Sequence, residues 1–138
     1  MQSTVKMMRS EAEIMSTFSI FKQLRPHLNE EDFLRLKKNN GFHLVAVVVG
    51  DKIKSAAGYR ITESLAWGKY FYVEDLITDE TSRGKGYASI LWDYLITQAK
   101  LEGCAQFHLD SGVNRHDAHR FYLKGGLDIS CHHFQVSL

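Results

Sequence analysis

The chain has 138 residues, 44% hydrophobic and 24% charged, with 17 Lys+Arg against 16 Asp+Glu and a formal net charge of +1. That length suits one hydrophobic core, so a single domain over residues 1–138 is expected, and the near-neutral balance excludes a nucleic-acid platform or a polybasic membrane surface. Eight Phe, six Tyr and two Trp beside a single Pro exclude a disordered or proline-rich chain.

The N-terminal stretch runs into Glu11 and Glu13 without the uninterrupted apolar segment of a signal peptide. The longest apolar run, Leu44–Val49, is six residues, against the roughly 20 that span a bilayer. Two cysteines, Cys104 and Cys131, are too few for a disulfide scaffold. A cytoplasmic protein with reduced thiols is expected.

Residues 10–24 place Ile14, Phe18, Phe21 and Leu24 at helical spacing, with Ser10 and Glu13 forming a capping box and Pro26 ending the helix. Asn29 followed by Glu30, Glu31 and Asp32 predicts a second helix, finished by Lys37, Lys38 and the stop Asn39-Asn40-Gly41. His43–Val49 predicts a buried strand, Gly50-Asp51-Lys52 a tight turn, and Ile53–Thr62 its hairpin partner. Tyr70–Thr78 is a third strand. The loop 79–86 then leads to an amphipathic helix over 87–102, whose stripe is Ala88, Leu91, Trp92, Leu95 and Ala99. Phe107–Ser111 predicts another strand and His116–Lys124 a short helix stopped by Gly125-Gly126, with Phe121 and Leu123 as core. Ile129–Val136 predicts a last strand.

The order α-α-β-β-β-α-β-α-β gives a mixed α/β fold of about five to six strands. Its N-terminal part is antiparallel, a βαβ unit makes strands 70–78 and 107–111 parallel, and helices cover both faces.

Arg83-Gly84-Lys85-Gly86-Tyr87-Ala88 lies between a strand and a helix N-terminus. Glycines let the backbone approach a ligand, free N–H groups point outward, and the helix dipole with Arg83 and Lys85 favours a pyrophosphate. No Walker A run exists, and a Rossmann fingerprint fails at Ser89, where it needs glycine. Alone, the segment reads equally well as a capped surface turn.

Further residues add chemistry. Glu74 and Asp75 are adjacent on strand 70–78, so one acid faces each side unless a bulge re-aims one of them. Such acids either face a wet cleft or pair with neighbouring Arg or Lys. Asn114 follows the second parallel strand, and Tyr122 sits on the helix after it. His108, His116, His119, His132 and His133 crowd the C-terminal third, but no metal-binding motif frames them, so no metal is expected. Cys104, between a helix end and a strand, reads as a structural thiol rather than a nucleophile.

Together these pieces resemble the GNAT superfamily of acetyl-CoA-dependent N-acetyltransferases, over about residues 71–126. Arg83, Gly86 and Ala88 fit the family's R/Q-x-x-G-x-G/A loop, and Asn114, Ala118, Phe121, Tyr122 and Gly125 fit its N-x-x-x-A-x-x-F-Y-x-x-G region. One departure is Gly125-Gly126-Leu127, where the family commonly has Gly-Phe after the first glycine.

The resemblance implies roles. Backbone groups of Leu76, Ile77 and Thr78 would pair with the pantetheine arm of acetyl-CoA like an added strand. N–H groups of Gly84, Lys85, Gly86, Tyr87 and Ala88, with Arg83 beside them, would hold the pyrophosphate, and Asn114 would bond the pantetheine. The amine of a small molecule or peptide would attack the thioester directly. Glu74, sharing a strand face with Tyr72 and Leu76, would be the base, with Asp75 the alternative or a group attracting a cationic acceptor. A backbone N–H near Leu76 would polarise the thioester carbonyl, and Tyr122 would protonate the leaving thiolate. The acceptor would dock near Phe21, Arg25 and His27. The resemblance also allows a homodimer. A non-catalytic acyl-CoA-binding, sensing or interaction domain is the alternative, since a fold can keep its loop after losing its chemistry.

Overall fold

The computed structural model describes residues 2–38 and 41–138, in two packing units, Met1–His108 and Leu109–Leu138. The first holds β1 (Ser3–Met7), α1 (Glu11–Ser16), α2 (Phe18–Leu24), α3 (Glu30–Lys37), β2 (Phe42–Val49), β3 (Lys52–Ser64), β4 (Gly68–Thr78) and α4 (Tyr87–Leu101). β5 (Gln106–Leu109) straddles the boundary, and α5 (His116–Lys124) lies in the second unit.

The expected capping box closes α1: Ser10 Oγ accepts from the Glu13 N–H at 3.1 Å, and Glu13 Oε1 accepts from the Ser10 N–H at 2.9 Å. The single helix expected over 10–24 is instead two, broken at Thr17. That residue is fully buried, and its hydroxyl donates to the Ile14 carbonyl at 2.7 Å, a back-bond that competes with the helical ladder. Asn29 caps α3 by accepting from the Asp32 N–H at 2.8 Å. Asn39 and Asn40 of the expected stop lie outside the described residues, and α3 ends at Lys37.

The sheet order is β1-β2-β3-β4-β5, antiparallel through β4, with β5 parallel to β4. This is the expected mixed sheet with five strands. Its fifth strand, however, is β1. Ser3–Met7 has a weak, mostly polar pattern and takes strand form by pairing with β2, Val5 opposite Val47.

Strand alternation sends the core to both faces. Leu44, Ala46, Ala56 and Ile77 join Ile14, Ile20, Phe21 and Phe33 under the first three helices. On the opposite face, Tyr59 stacks on Phe71 with ring centroids 4.3 Å apart, Phe71 stacks on Phe107 at 5.2 Å, and Phe107 meets Trp92 of α4 edge-on. Leu91, Trp92, Leu95 and Ala99 of the expected stripe are buried, and Ala88 is half-buried at the helix start.

In the second unit α5 spans the expected residues and is capped by Gly125, followed by Gly126, whose φ of +94° suits glycine. Two expectations fail there. Leu123, read as core, is 50% exposed, while Phe121 is half-buried. Residues 129–136, read as a strand, have no regular structure, and Ile129, Phe134 and Val136 are exposed. Alternation specifies which face a strand would bury, yet a strand forms only against a neighbour's backbone, and none pairs with this segment among the described residues.

Each cysteine is a free thiol; burial pushes the Cys104 thiol upward, as suits a structural residue. Among the described residues no helix is long and apolar enough to cross a membrane.

Candidate active site

The candidate site grows from an irregularity in β4. Pairing with β3 runs regularly from Ser64 opposite Gly68 to Tyr59 opposite Val73, then resumes with Gly58 opposite Asp75. Glu74 is thus the extra residue of a β-bulge, which bends the strand and inverts its alternation. Before the bulge Phe71 and Val73 are buried on the α4 side; after it Ile77 is buried on the side of the first three helices. Both acids consequently address that second side. The bulge overrides the one-acid-per-face rule. Glu74 keeps company with Tyr72 but not with Leu76, which pairs with Ala57 and turns to the other face.

Each carboxylate has an arginine. Arg60 Nε donates to Glu74 Oε1 at 2.6 Å, and its guanidinium lies 4.8 Å from the Phe42 ring centroid. Arg25, at the C-terminal cap of α2, donates from Nε to Asp75 Oδ1 at 3.0 Å and from Nη2 to the Glu74 carbonyl at 3.2 Å. Gly58 faces this corner. A Cβ there would lie 2.7 Å from Phe42 Cζ, so the missing side chain is the space that the Phe42 ring fills beneath Arg60.

The two acids differ in setting. Burial pushes the Asp75 carboxyl above its ordinary range even though Arg25 pulls it down, and the neighbouring charge of Glu74 pushes the same way as burial. Its side chain still keeps 19% of its exposure, against 33% for Glu74. Asp75 is a desolvated carboxylate with a wet edge, the setting that makes a carboxylate more basic.

Beyond the bulge, β4 runs on past the end of β5. The Ala105 N–H donates to the Lys69 carbonyl at 2.7 Å, and Phe107 stacks beside Phe71. β5 ends two residues later, at Leu109. Leu76, Ile77 and Thr78 pair with β3 on one side, opposite Ala57, Ala56 and Ser55, while β5 is too short to reach them on the other. Their outer backbone edge is suited to an extended ligand.

The loop after β4 has the geometry its glycines predict. Gly84 and Gly86 have φ of +76° and +86°, and a Cβ on either would meet nothing within 4 Å. Gly86 is the N-cap of the 15-residue α4 and offers no side-chain acceptor, so the first-turn N–H groups of Tyr87 and Ala88 face outward. Arg83 and Lys85 are exposed at the rim. Open space, left-handed glycines, a helix N-terminus and two cations together fit a pyrophosphate.

Of the acceptor residues, Arg25 is at the acids, whereas Phe21 is 3% exposed and packs against Phe33 with ring centroids 5.7 Å apart. Its ring fastens α2 to α3. In the second unit Asn114 is exposed in the turn before α5, and burial pushes the Tyr122 phenol upward with Arg115 opposing. Among the described residues no group of three or more His, Cys, Asp or Glu is arranged to hold a metal ion. Sequence reasoning missed Arg60 and Gln23, which act through tertiary contacts and belong to no motif; Gln23 bonds the start of the glycine loop.

Known proteins resemble this chain throughout. The profile of the Acetyltransferase (GNAT) family matches residues 7–126, across both packing units. The "Uncharacterized N-acetyltransferase YhdJ" of Bacillus subtilis (strain 168) is 32% identical over 136 residues, covering 95% of this chain and 96% of that one. Among solved structures, a transcriptional regulator from Bacillus halodurans C-125 has a TM-score of 0.87 at 22% identity, covering 99% of this chain and 100% of that one. A putative acetyltransferase from Agrobacterium tumefaciens str. C58 has a TM-score of 0.83 at 20% identity, covering 98% of this chain and 99% of that one. At these identities the solved structures speak to the fold alone.

Proposed function

The chain belongs to the acetyltransferase (GNAT) family, and from that premise we propose that it transfers the acetyl group of acetyl-CoA to a primary amine of a small molecule or peptide. The observation that carries this reading is the bulge at Glu74, which turns two carboxylates to one face a few residues before β4 ends and the glycine loop begins. A site for an anionic carrier and a site for a cationic acceptor then lie at opposite ends of one short segment.

Acetyl-CoA would lie with its pantetheine along Leu76, Ile77 and Thr78, aided by Asn114. Its pyrophosphate would rest on the N–H groups of Gly84, Lys85, Gly86, Tyr87 and Ala88, with Arg83 and Lys85 neutralising charge. An alkylamine arrives mostly as ammonium, with a pKa of about 10.4, and must lose a proton before it attacks. Asp75 is the base we favour, because burial lifts its carboxyl even against the ion pair with Arg25. This moves the base from Glu74 to Asp75 and leaves Glu74 to attract the ammonium.

The amine nitrogen then bonds to the thioester carbonyl carbon, and the carbonyl electron pair moves to oxygen, stabilised by a backbone N–H near Leu76. When the pair returns, the C–S bond breaks and the thiolate leaves. By the family resemblance Tyr122 would supply its proton, and the second proton, still on the new amide nitrogen, returns through solvent to the phenolate. Burial pushes the phenol upward and makes it a weaker acid than the thiol, so the transfer depends on close placement rather than driving force.

A thermal-shift panel of acetyl-CoA, NAD, ATP and zinc tests the carrier: acetyl-CoA alone is expected to stabilise the protein, and stabilisation by NAD or zinc without acetyl-CoA would overturn the reading. A thiol-release assay over a set of amines tests the chemistry. Tyr122→Phe is expected to lose about 100-fold or more in turnover with acetyl-CoA affinity unchanged. Binding without release for any amine would favour the alternative, a non-catalytic acyl-CoA sensor. The paired arginines, which occupy both carboxylates, are the observation on that side.

A further inference from the structure

We infer that Gln23, at the C-terminal end of α2, is a positioning residue for the glycine loop; this deepens the reading of that loop as the acetyl-CoA site and rests on it. The loop cannot hold itself. Gly84 and Gly86 are exposed, have nothing within 4 Å of a Cβ position, and so bring no side chain to fix the loop. Its direction depends on what fixes its two ends.

At the far end the anchor is the buried stripe of α4, beginning at Leu91. At the near end it is a 3-10 turn, Glu80–Ser82, organised by one carboxylate. The Asp79 side chain accepts from Thr81 Oγ1 at 2.5 Å and Ser82 Oγ at 3.4 Å, and Ser82 is 1% exposed immediately before Arg83. That turn is tied to the body of the protein by the Asp79 N–H, which donates to the Lys54 carbonyl at 2.9 Å, and by the side chain of Gln23. Its Nε2 donates to Asp79 Oδ1 at 2.8 Å, and its Oε1 accepts from the Glu80 N–H at 3.0 Å. One side-chain amide thus satisfies a carboxylate and a backbone donor 56 and 57 residues away in the chain. The Gln23 bond is also the foremost reason that the Asp79 carboxyl sits below its ordinary range, so the charged form is the one held.

Two residues along α2, Arg25 makes the corresponding tie to Asp75 and the Glu74 carbonyl. The end of one helix therefore pins the functional half of β4 at both extremities: Arg25 at the acids, Gln23 at the entrance to the loop. This division of labour predicts a separable phenotype. Loss of Gln23 loosens the carrier site and spares the acceptor site.

The experiment uses Gln23→Met, which keeps the length of the side chain and removes both hydrogen bonds at an exposed position, so folding is preserved. Amide hydrogen exchange without ligand is expected to speed up about tenfold at residues 83–88 and to stay unchanged in β2 and β3. By calorimetry the dissociation constant of acetyl-CoA is expected to rise about tenfold, with KM for the amine and kcat at saturating acetyl-CoA within twofold of wild type. Unchanged loop exchange, or wild-type affinity for acetyl-CoA, would overturn the positioning role. An equal rise in amine KM would overturn its restriction to the loop. Failure of the unmodified protein to bind acetyl-CoA at all would instead overturn the reading of the site. Gln23→Glu, which keeps the acceptor for Glu80 but sets a like charge beside Asp79, is expected to weaken acetyl-CoA at least as much.

Discussion

The two halves of β4 differ in what surrounds them. From Gly68 to Val73 the strand lies between β3 and β5, and its ring of Phe71, fully buried, stacks on Tyr59 and Phe107. From Glu74 to Thr78 it pairs, among the described residues, with β3, carries two carboxyl groups, and is held from outside by Arg60, Arg25 and Gln23. One half is core and the other is site, with the bulge at Glu74 as the border. A strand can serve both purposes because its hydrogen bonds to β3 continue across the bulge, so the functional half inherits the rigidity of the structural half.

The sharpest way to break that contrast is to damage each half separately. Phe71→Ala removes a fully buried ring and is expected to cost about 3–5 kcal/mol in denaturant unfolding, with amine and acetyl-CoA affinities unchanged in the protein that remains folded. Asp75→Asn is expected to do the reverse: turnover falls by about 100-fold or more in the thiol-release assay, while acetyl-CoA binding is kept. Glu74→Gln is expected to act chiefly on KM for the amine, by less than tenfold. If Glu74→Gln proved the more damaging to kcat, the base would return to Glu74.

A finer test reads the border by pH. The base works only when ionised, so kcat/KM is expected to fall as pH drops through the lifted pKa of Asp75. Arg25 holds that pKa down by charge and by its hydrogen bond, and burial holds it up more strongly. Arg25→Met therefore raises it further, and the acidic limb of the profile is expected to move to higher pH. A limb that stays in place would separate Asp75 from the rate.

Local signals in the sequence were accurate wherever the cause was local. The capping box of Ser10 and Glu13, the Asn29 cap, the extent of α5 and the left-handed glycines of the loop each depend on a few adjacent residues. Thr17, β1 and the tail show the opposite case. Thr17 has ordinary helical neighbours and breaks the helix through its buried hydroxyl; β1 becomes a strand on the edge of β2; residues 129–136 have a strand's pattern and no pairing.

The sequence by itself determined the family and the mixed sheet, the glycine loop at the start of a helix, and the presence of two adjacent acids on the strand before it. Periodicity, caps and glycines act within a few residues, so they are written in the order of the chain. Only the tertiary structure decided that both acids share a face, that burial lifts the Asp75 carboxyl, and that Arg60, Arg25 and Gln23 hold the segment. A bulge depends on the register of the neighbouring strand, and a pKa depends on burial and on charges brought from far along the chain. Those quantities exist only once the chain has folded.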